Sequence, residues 1–266
     1  MTGEAREVSR NSEPAAVLAA AYVEACDLDV AVFKPGNVSF AAPGHGMTAD
    51  DFTASARASA TPLTATGAPV GRRILDAVAA TRAAVGCNTN LGIVLTAAPL
   101  IAAAERGGAL RDALAEVLAE LGGDDASCAY KAIALASPGG LGRVAEADVN
   151  DAPPDTLATA MALAADRDRI ARQYVTGFED VFEIGVKAFD AGSRRFGDEA
   201  AAVQWCYLSL LAAFPDTHIA RKFGAARAHQ VMQRGREVAS QVKACENPAD
   251  FQPLLAAFDR ELKDAD

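Results

Sequence analysis

The run Leu91-Gly92-Ile93-Val94-Leu95-Thr96-Ala97-Ala98-Pro99-Leu100-Ile101 most limits what this chain can fold into. As a helix it is apolar on nearly every face, so other elements must enclose it. An amphipathic helix carrying Ile74, Val78, Arg82 and Val85 leads into it, and Gly86 can end that helix in a left-handed turn. Asn88, Thr89 and Asn90 lie between the two, with Asn90 the expected N-cap of the buried helix. Pro99 predicts a kink near Leu95. Free backbone N–H groups and short polar side chains are thus gathered at the mouth of a buried helix, where the local dipole favours an anion. A well-capped helix junction has the same pattern, so spacing alone leaves both readings open.

Helical periods and caps recur along the rest of the chain, while strand alternation does not. Alanine is abundant and aromatic residues make up 6%, which favours helix over sheet. The expected fold is a single all-α domain of about ten helices over residues 12–266, after a frayed tail over 1–11. Ser12 is the expected start of the first helix, and Asp29–Phe33 is too short to assign. Lys34-Pro35-Gly36-Asn37 is a turn by its own chemistry, and Ala41 to Met47 an irregular loop. A helix from Asp155 is expected to carry Leu157, Met161, Leu163 and Ile170, with Asp168 and Arg172 forming a solvated ion-pair face. Another amphipathic helix follows Gly177. Ala200–Phe214 reads as a buried helix, and the last one opens at Asn247-Pro248. Ser137-Pro138-Gly139-Gly140-Leu141-Gly142 has no strand before it, so it is not read as a dinucleotide or P-loop motif.

The net charge of −10 argues against non-specific nucleic-acid binding, which needs a basic surface. Five scattered cysteines without a C-x-x-C pair fit a reducing cytoplasm better than a disulfide framework or a zinc site. The polar N-terminus and the lack of a ~18-residue apolar run point to no signal peptide and no membrane span. A homodimer is the default expectation for assembly.

Gly86-Cys87-Asn88-Thr89-Asn90-Leu91-Gly92 resembles the G-x-N-T-(N/H)-x-G motif of the triphosphoribosyl-dephospho-CoA synthase family. Lys34-Pro35-Gly36-Asn37 resembles that family's early K-P-G. Met47-Thr48-Ala49-Asp50-Asp51-Phe52 with Ala54-Ser55-Ala56 resembles the segment that follows it. Asp216-Thr217-His218-Ile219-Ala220-Arg221-Lys222-Phe223-Gly224 resembles the late D-T-(N/H)-x-x-x-(R/K)-x-G. The four occur in the family's order.

The resemblance implies that ATP is a ribosyl donor: a ribose hydroxyl of dephospho-CoA attacks C1′, adenine leaves, and the triphosphate stays on the transferred sugar. A triphosphate needs cations, N–H donors and a divalent metal, here Mg2+. The sugar cation needs negative or polar neighbours, the hydroxyl a base, and adenine a proton or a strong hydrogen bond. Lys34, beside a confined turn and expected outside the core, is the first phosphate candidate, so Lys34→Ala should weaken ATP binding and spare the fold. Arg221 and Lys222 offer a second cationic pair. Asn37, at the end of the first turn, is a further candidate to bind the nucleotide, and Asn88, Thr89 and Asn90 suit phosphate or ribose. Asp216 is a candidate metal ligand or general base, or an ordinary N-cap. Asp50 and Asp51 point about 100° apart on a helix, and Asp50 is the second candidate metal ligand. His45 and His218 are the histidines that could move a proton, His218 the better placed. Cys87 reads as packing. Asn88–Asn90 and Asp216–Arg221 are expected to meet around one pocket, with Asp216 nearer the metal.

Three departures from the family pattern bear on the acceptor. A glycine-arginine-glycine-glutamate segment is replaced by Pro138–Gly142 and Asp148–Asp151. Arg72-Arg73 stand where a glutamate is expected, and the late motif has His218 and Lys222-Phe223-Gly224. These resemble a branch associated with one-carbon cofactors of the methanopterin type, so the same donor chemistry on another acceptor is an alternative. A non-catalytic helical protein that binds a nucleotide or a partner is the alternative of another class.

Overall fold

The computed structural model describes residues 4–42, 46–136 and 155–264. Among these, thirteen α-helices and one π-helical segment account for the regular structure, with no strand. The chain divides into two compact units. One takes Met1–Asp27, Asp50–Asp166 and Ile170–Gly177, and the other takes Leu28–Ala49, Arg167–Arg169 and Phe178–Asp266.

The first unit holds most of α1 (Glu4–Ala31), then α2 (Ala49–Leu63), α3 (Val70–Val85), α4 (Leu91–Arg106), α5 (Leu110–Ala119), α6 (Gly123–Ala136) and α7 (Leu157–Ala164). It ends in α8 (Arg169–Thr176). α1 begins before the expected Ser12 start. α3 ends as the sequence predicts, with Gly86 at φ 72° and its N–H bonded to the Arg82 carbonyl, a conformation that costs glycine nothing. α4 is the enclosed helix, burying Val94, Leu95, Ala98, Pro99 and Ile101. Pro99 has no N–H to give the Leu95 carbonyl four residues back. The buried Tyr174 hydroxyl, from α8, donates to that carbonyl at 2.6 Å. Burial, and then the charge of Asp125, pushes the Tyr174 phenol well above its ordinary range, so it stays a donor.

Arg73 and Glu105 form the other buried tie in this unit. The Arg73 side chain is 1% exposed, donates to the carbonyls of Leu63 (2.7 Å) and Ala68 (2.8 Å), and pairs with Glu105. The two arginines that replace the expected glutamate therefore differ. Arg73 locks the end of α2, the start of α3 and the end of α4 together, and Arg72 makes an exposed pair with Asp76.

In the second unit the π-helical segment Asp180–Val186 runs into α9 (Lys187–Phe196), followed by α10 (Glu199–Ala213), α11 (Thr217–Phe223), α12 (Ala225–Ala244) and α13 (Pro248–Lys263). Leu208 and Leu211 of α10, Val231, Val238 and Val242 of α12, and Phe251, Leu255 and Phe258 of α13 make its core. α13 opens on the expected Asn247-Pro248, with a capping box between Asn247 and Asp250.

Two expected helices are corrected. The one read from Asp155 through Ile170 is capped by Thr156, whose side chain accepts from the Thr159 N–H, and breaks between α7 and α8. Asp168 lies in that break and faces Arg221 at 3.6 Å, so it is not on a helix with Arg172. The helix after Gly177 opens as the π segment, preceded by Gly177 and the buried Phe178, both at φ 63°. No single helix among the described residues is long and apolar enough to cross a membrane.

Candidate active site

In the first unit two of the family-like stretches meet. Ser55 of α2 hydrogen-bonds Thr89 at 2.5 Å, and the Asn90 amide donates to Ser59 at 3.2 Å. Tyr22 of α1 joins Ser59 at 2.9 Å. The Asn90 side chain is buried and makes no capping bond, which corrects its expected role. Asn88 does that work: its side-chain oxygen accepts the Leu91 N–H at 3.1 Å. Thr89 and Asn90 thus tie the loop to α2; Asn90 is buried, and Asn88 and Thr89 are both half-buried. Asp50 is exposed in the first turn of α2. Cys87 is a free thiol.

The second unit gathers the other two stretches. Lys34-Pro35-Gly36-Asn37 is a turn closed by the Asn37 N–H on the Lys34 carbonyl at 3.1 Å. Gly36 sits at φ 76°, as the third residue of a proline-led type II turn requires. Its N–H donates to Asp259 at 2.8 Å, and Tyr207 donates to the Pro35 carbonyl at 2.6 Å. Lys34 is corrected: its side chain is 3% exposed. The ammonium donates to the backbone carbonyls of Asp29 and Val32 and lies 3.0 Å from the Asp29 carboxylate. Three donors thus have three acceptors inside the protein. Asn37 is exposed.

Asp216 is the N-cap of α11, its Oδ1 accepting the N–H groups of His218 (2.7 Å) and Ile219 (3.0 Å). The exposed His218 receives an Arg221 N–H on Nδ1 at 2.9 Å. Lys222 is exposed, with its ammonium 4.7 Å from the Phe223 ring centre. The Arg169 N–H donates to Thr217 at 3.2 Å, and its guanidinium lies 3.8 Å over Phe214 and pairs with Asp180. Burial raises the Tyr207 phenol well above its ordinary range, and the nearby carboxylates of Asp216 and Asp259 raise it further. The Lys34–Asn37 turn is thus tied to Tyr207 by a hydrogen bond, and Asp216 acts on the same phenol through its charge.

Asp168, Arg169, Asp180, Tyr207 and Asp259 are absent from the sequence-based set. The only signal for the first two was the charge run Asp166-Arg167-Asp168-Arg169, which also describes a solvated helix face. Asn88–Asn90 and Asp50 belong to one unit, and Lys34, Asn37, Asp216, His218, Arg221 and Lys222 to the other. His45, Ser137–Gly142 and Asp148–Asp151 lie outside the described residues. No trio of His, Cys, Asp or Glu that could hold a metal ion occurs among the described residues, and one Asp216 oxygen is engaged in capping.

An all-α chain with these four stretches in order has the makings of a nucleotide-using transferase. The family model described as CitG: ATP:dephospho-CoA triphosphoribosyl transferase matches residues 15–266, and the chain belongs to this enzyme family. No curated protein and no solved structure matches the chain significantly.

Proposed function

We propose that α11 and its cap carry the transfer of the triphosphoribosyl group from ATP to a ribose hydroxyl of dephospho-CoA. The observation that supports this is the placing of His218 and Arg221 one turn apart on α11, next to the Asp216 cap, with the His218 ring exposed. Asp216 takes the hydroxyl proton as the oxygen bonds C1′ of ATP. The C1′–N9 bond breaks with its electron pair going to adenine, and His218 donates a hydrogen bond to that leaving group. Adenine then recovers from solvent the proton that Asp216 releases. Lys222 meets the triphosphate and Arg221 adds positive charge behind His218. Asn37 is the member of its motif that contacts ribose or phosphate beside α11, and Asn88 is the ligand-facing candidate of its own motif within the first unit. Thr89 and Asn90 present Asn88, and Lys34 shapes the turn that presents Asn37. Magnesium arrives with the triphosphate as part of the substrate. A cytoplasmic homodimer is the expected setting, and light scattering would check the assembly.

Incubation with ATP, magnesium and dephospho-CoA should release free adenine only when dephospho-CoA is present. Release with a different acceptor alone, or ATP binding without turnover, would overturn the proposal. Asp216→Asn should nearly abolish adenine release with little change in melting temperature, because Asn caps a helix as well as Asp does.

A further inference from the structure

We infer that Asp168 and Arg221 are positioning residues that hold His218 as the neutral tautomer with its proton on Nε2. Guanidinium carries five N–H donors and no acceptor. Arg221 lies 2.9 Å from His218 Nδ1, so that nitrogen presents its lone pair and the ring proton is on Nε2. Turning the ring over would set a C–H against the guanidinium and lose the hydrogen bond.

Arg221 is itself directed. Its Nη1 lies 3.6 Å from an Asp168 carboxylate oxygen, with both side chains about three-quarters or two-thirds covered, at 25% and 32% exposure. Asp168 lies in the break between α7 and α8, within Arg167–Arg169, three residues that group with the second unit. This three-residue excursion is fastened by the neighbouring Arg169. Its N–H holds Thr217 at the start of α11, its guanidinium covers Phe214 just before the cap, and its ion pair reaches Asp180 in the π segment. The chain from Asp168 through Arg221 to His218 thus fixes Nδ1 as an acceptor and puts the ring proton on Nε2.

The catalytic consequence rests on the proposed role of His218 beside the leaving group. A neutral imidazole does not readily give up its remaining proton, so His218 acts by a hydrogen bond to the departing adenine, with no net proton transfer. Hydrogen bonds aimed at developing charge are effective in this way because they are already oriented.

The full-length protein labelled with 15N-histidine gives a direct test, since the chain has three histidines and His218→Gln identifies the signal. Long-range 1H–15N spectra at neutral pH should show His218 as the Nε2–H tautomer. In Arg221→Gln the signal should move toward a mixture of both tautomers. Asp168→Asn should lower kcat about 10- to 100-fold with little change in KM for ATP, and Asp168→Glu should recover part of it. A wild-type Nδ1–H or imidazolium pattern, or a tautomer indifferent to Arg221→Gln, would overturn the inference. Unchanged kcat in Asp168→Asn would remove Asp168 from it. Turnover of His218→Gln tests the underlying role separately: full activity there sinks the leaving-group assignment while the tautomer result stands by itself.

Discussion

A lysine beside a Pro-Gly turn can turn its ammonium to solvent or fold it back on the chain, and Lys34 folds back. The carbonyls of Asp29 and Val32 and the Asp29 carboxylate surround it. Lys34→Ala therefore removes the donor from buried acceptors, which costs about 1–3 kcal/mol. The variant should melt at a lower temperature, with ATP affinity changing only as far as the turn is disturbed. An unchanged melting temperature together with weakened ATP binding in calorimetry would return Lys34 to the phosphate. Asn90 teaches the same lesson. Its place before a buried helix made a cap the natural expectation, but Ser59 lay within reach of its amide and Asn88 was one turn of chain away from the open N–H. Residue type and position announced that polar groups would cluster here. Which of them faced inward depended on α2, a partner distant in sequence.

At the scale of elements, the enclosed α4, the glycine stop at the end of α3 and the asparagine-proline start of α13 were legible because each is decided within a few residues. The break between α7 and α8 was not, because the run from Leu157 to Ile170 holds no glycine or proline that would mark a stop. What interrupts the helix is tertiary: Asp168 and Arg169 are drawn to α11 and its surroundings. The π segment was hidden for a similar reason, since Phe182 and Val186 stay four residues apart in either kind of helix. Arg73 shows how an element junction can depend on one side chain. Arg73→Ala would leave the half-buried Glu105 without its cation and two carbonyls without donors. Breaking a buried pair by removing one partner costs about 3–5 kcal/mol. Arg72→Ala, on the exposed neighbour, should cost under about 1 kcal/mol. Urea midpoints of the two variants measure this contrast, and equal small losses would mean that Arg73 is not the lock.

For the whole molecule, the four family-like stretches pair two by two. One pair ties α2 to the loop before α4, and the other is linked through Tyr207, which hydrogen-bonds Pro35 and feels the charge of Asp216. Order along the chain revealed the family; the pairing needed the fold. Each unit also keeps at least one tyrosine hydroxyl in a structural hydrogen bond: Tyr22 and Tyr174 in the first, Tyr207 in the second. All three phenols are raised above the ordinary 10.0, chiefly by burial. Nearby charge adds to this, from Asp125 at Tyr174 and from Asp216 and Asp259 at Tyr207. A raised acid pKa means that the folded state keeps protons that the unfolded chain releases. The resulting stability is intact below pH ~10 and is lost as pH climbs above it, by about 4 kcal/mol per pH unit for three such groups. In an alkaline titration, at most one of the four tyrosines should ionise while the helical circular dichroism persists. The remaining tyrosinate absorbance should appear together with the loss of helix. Smooth ionisation of three or four tyrosines centred near pH 10, with the helical signal intact, would show that these hydroxyls do not hold the fold as their hydrogen bonds require.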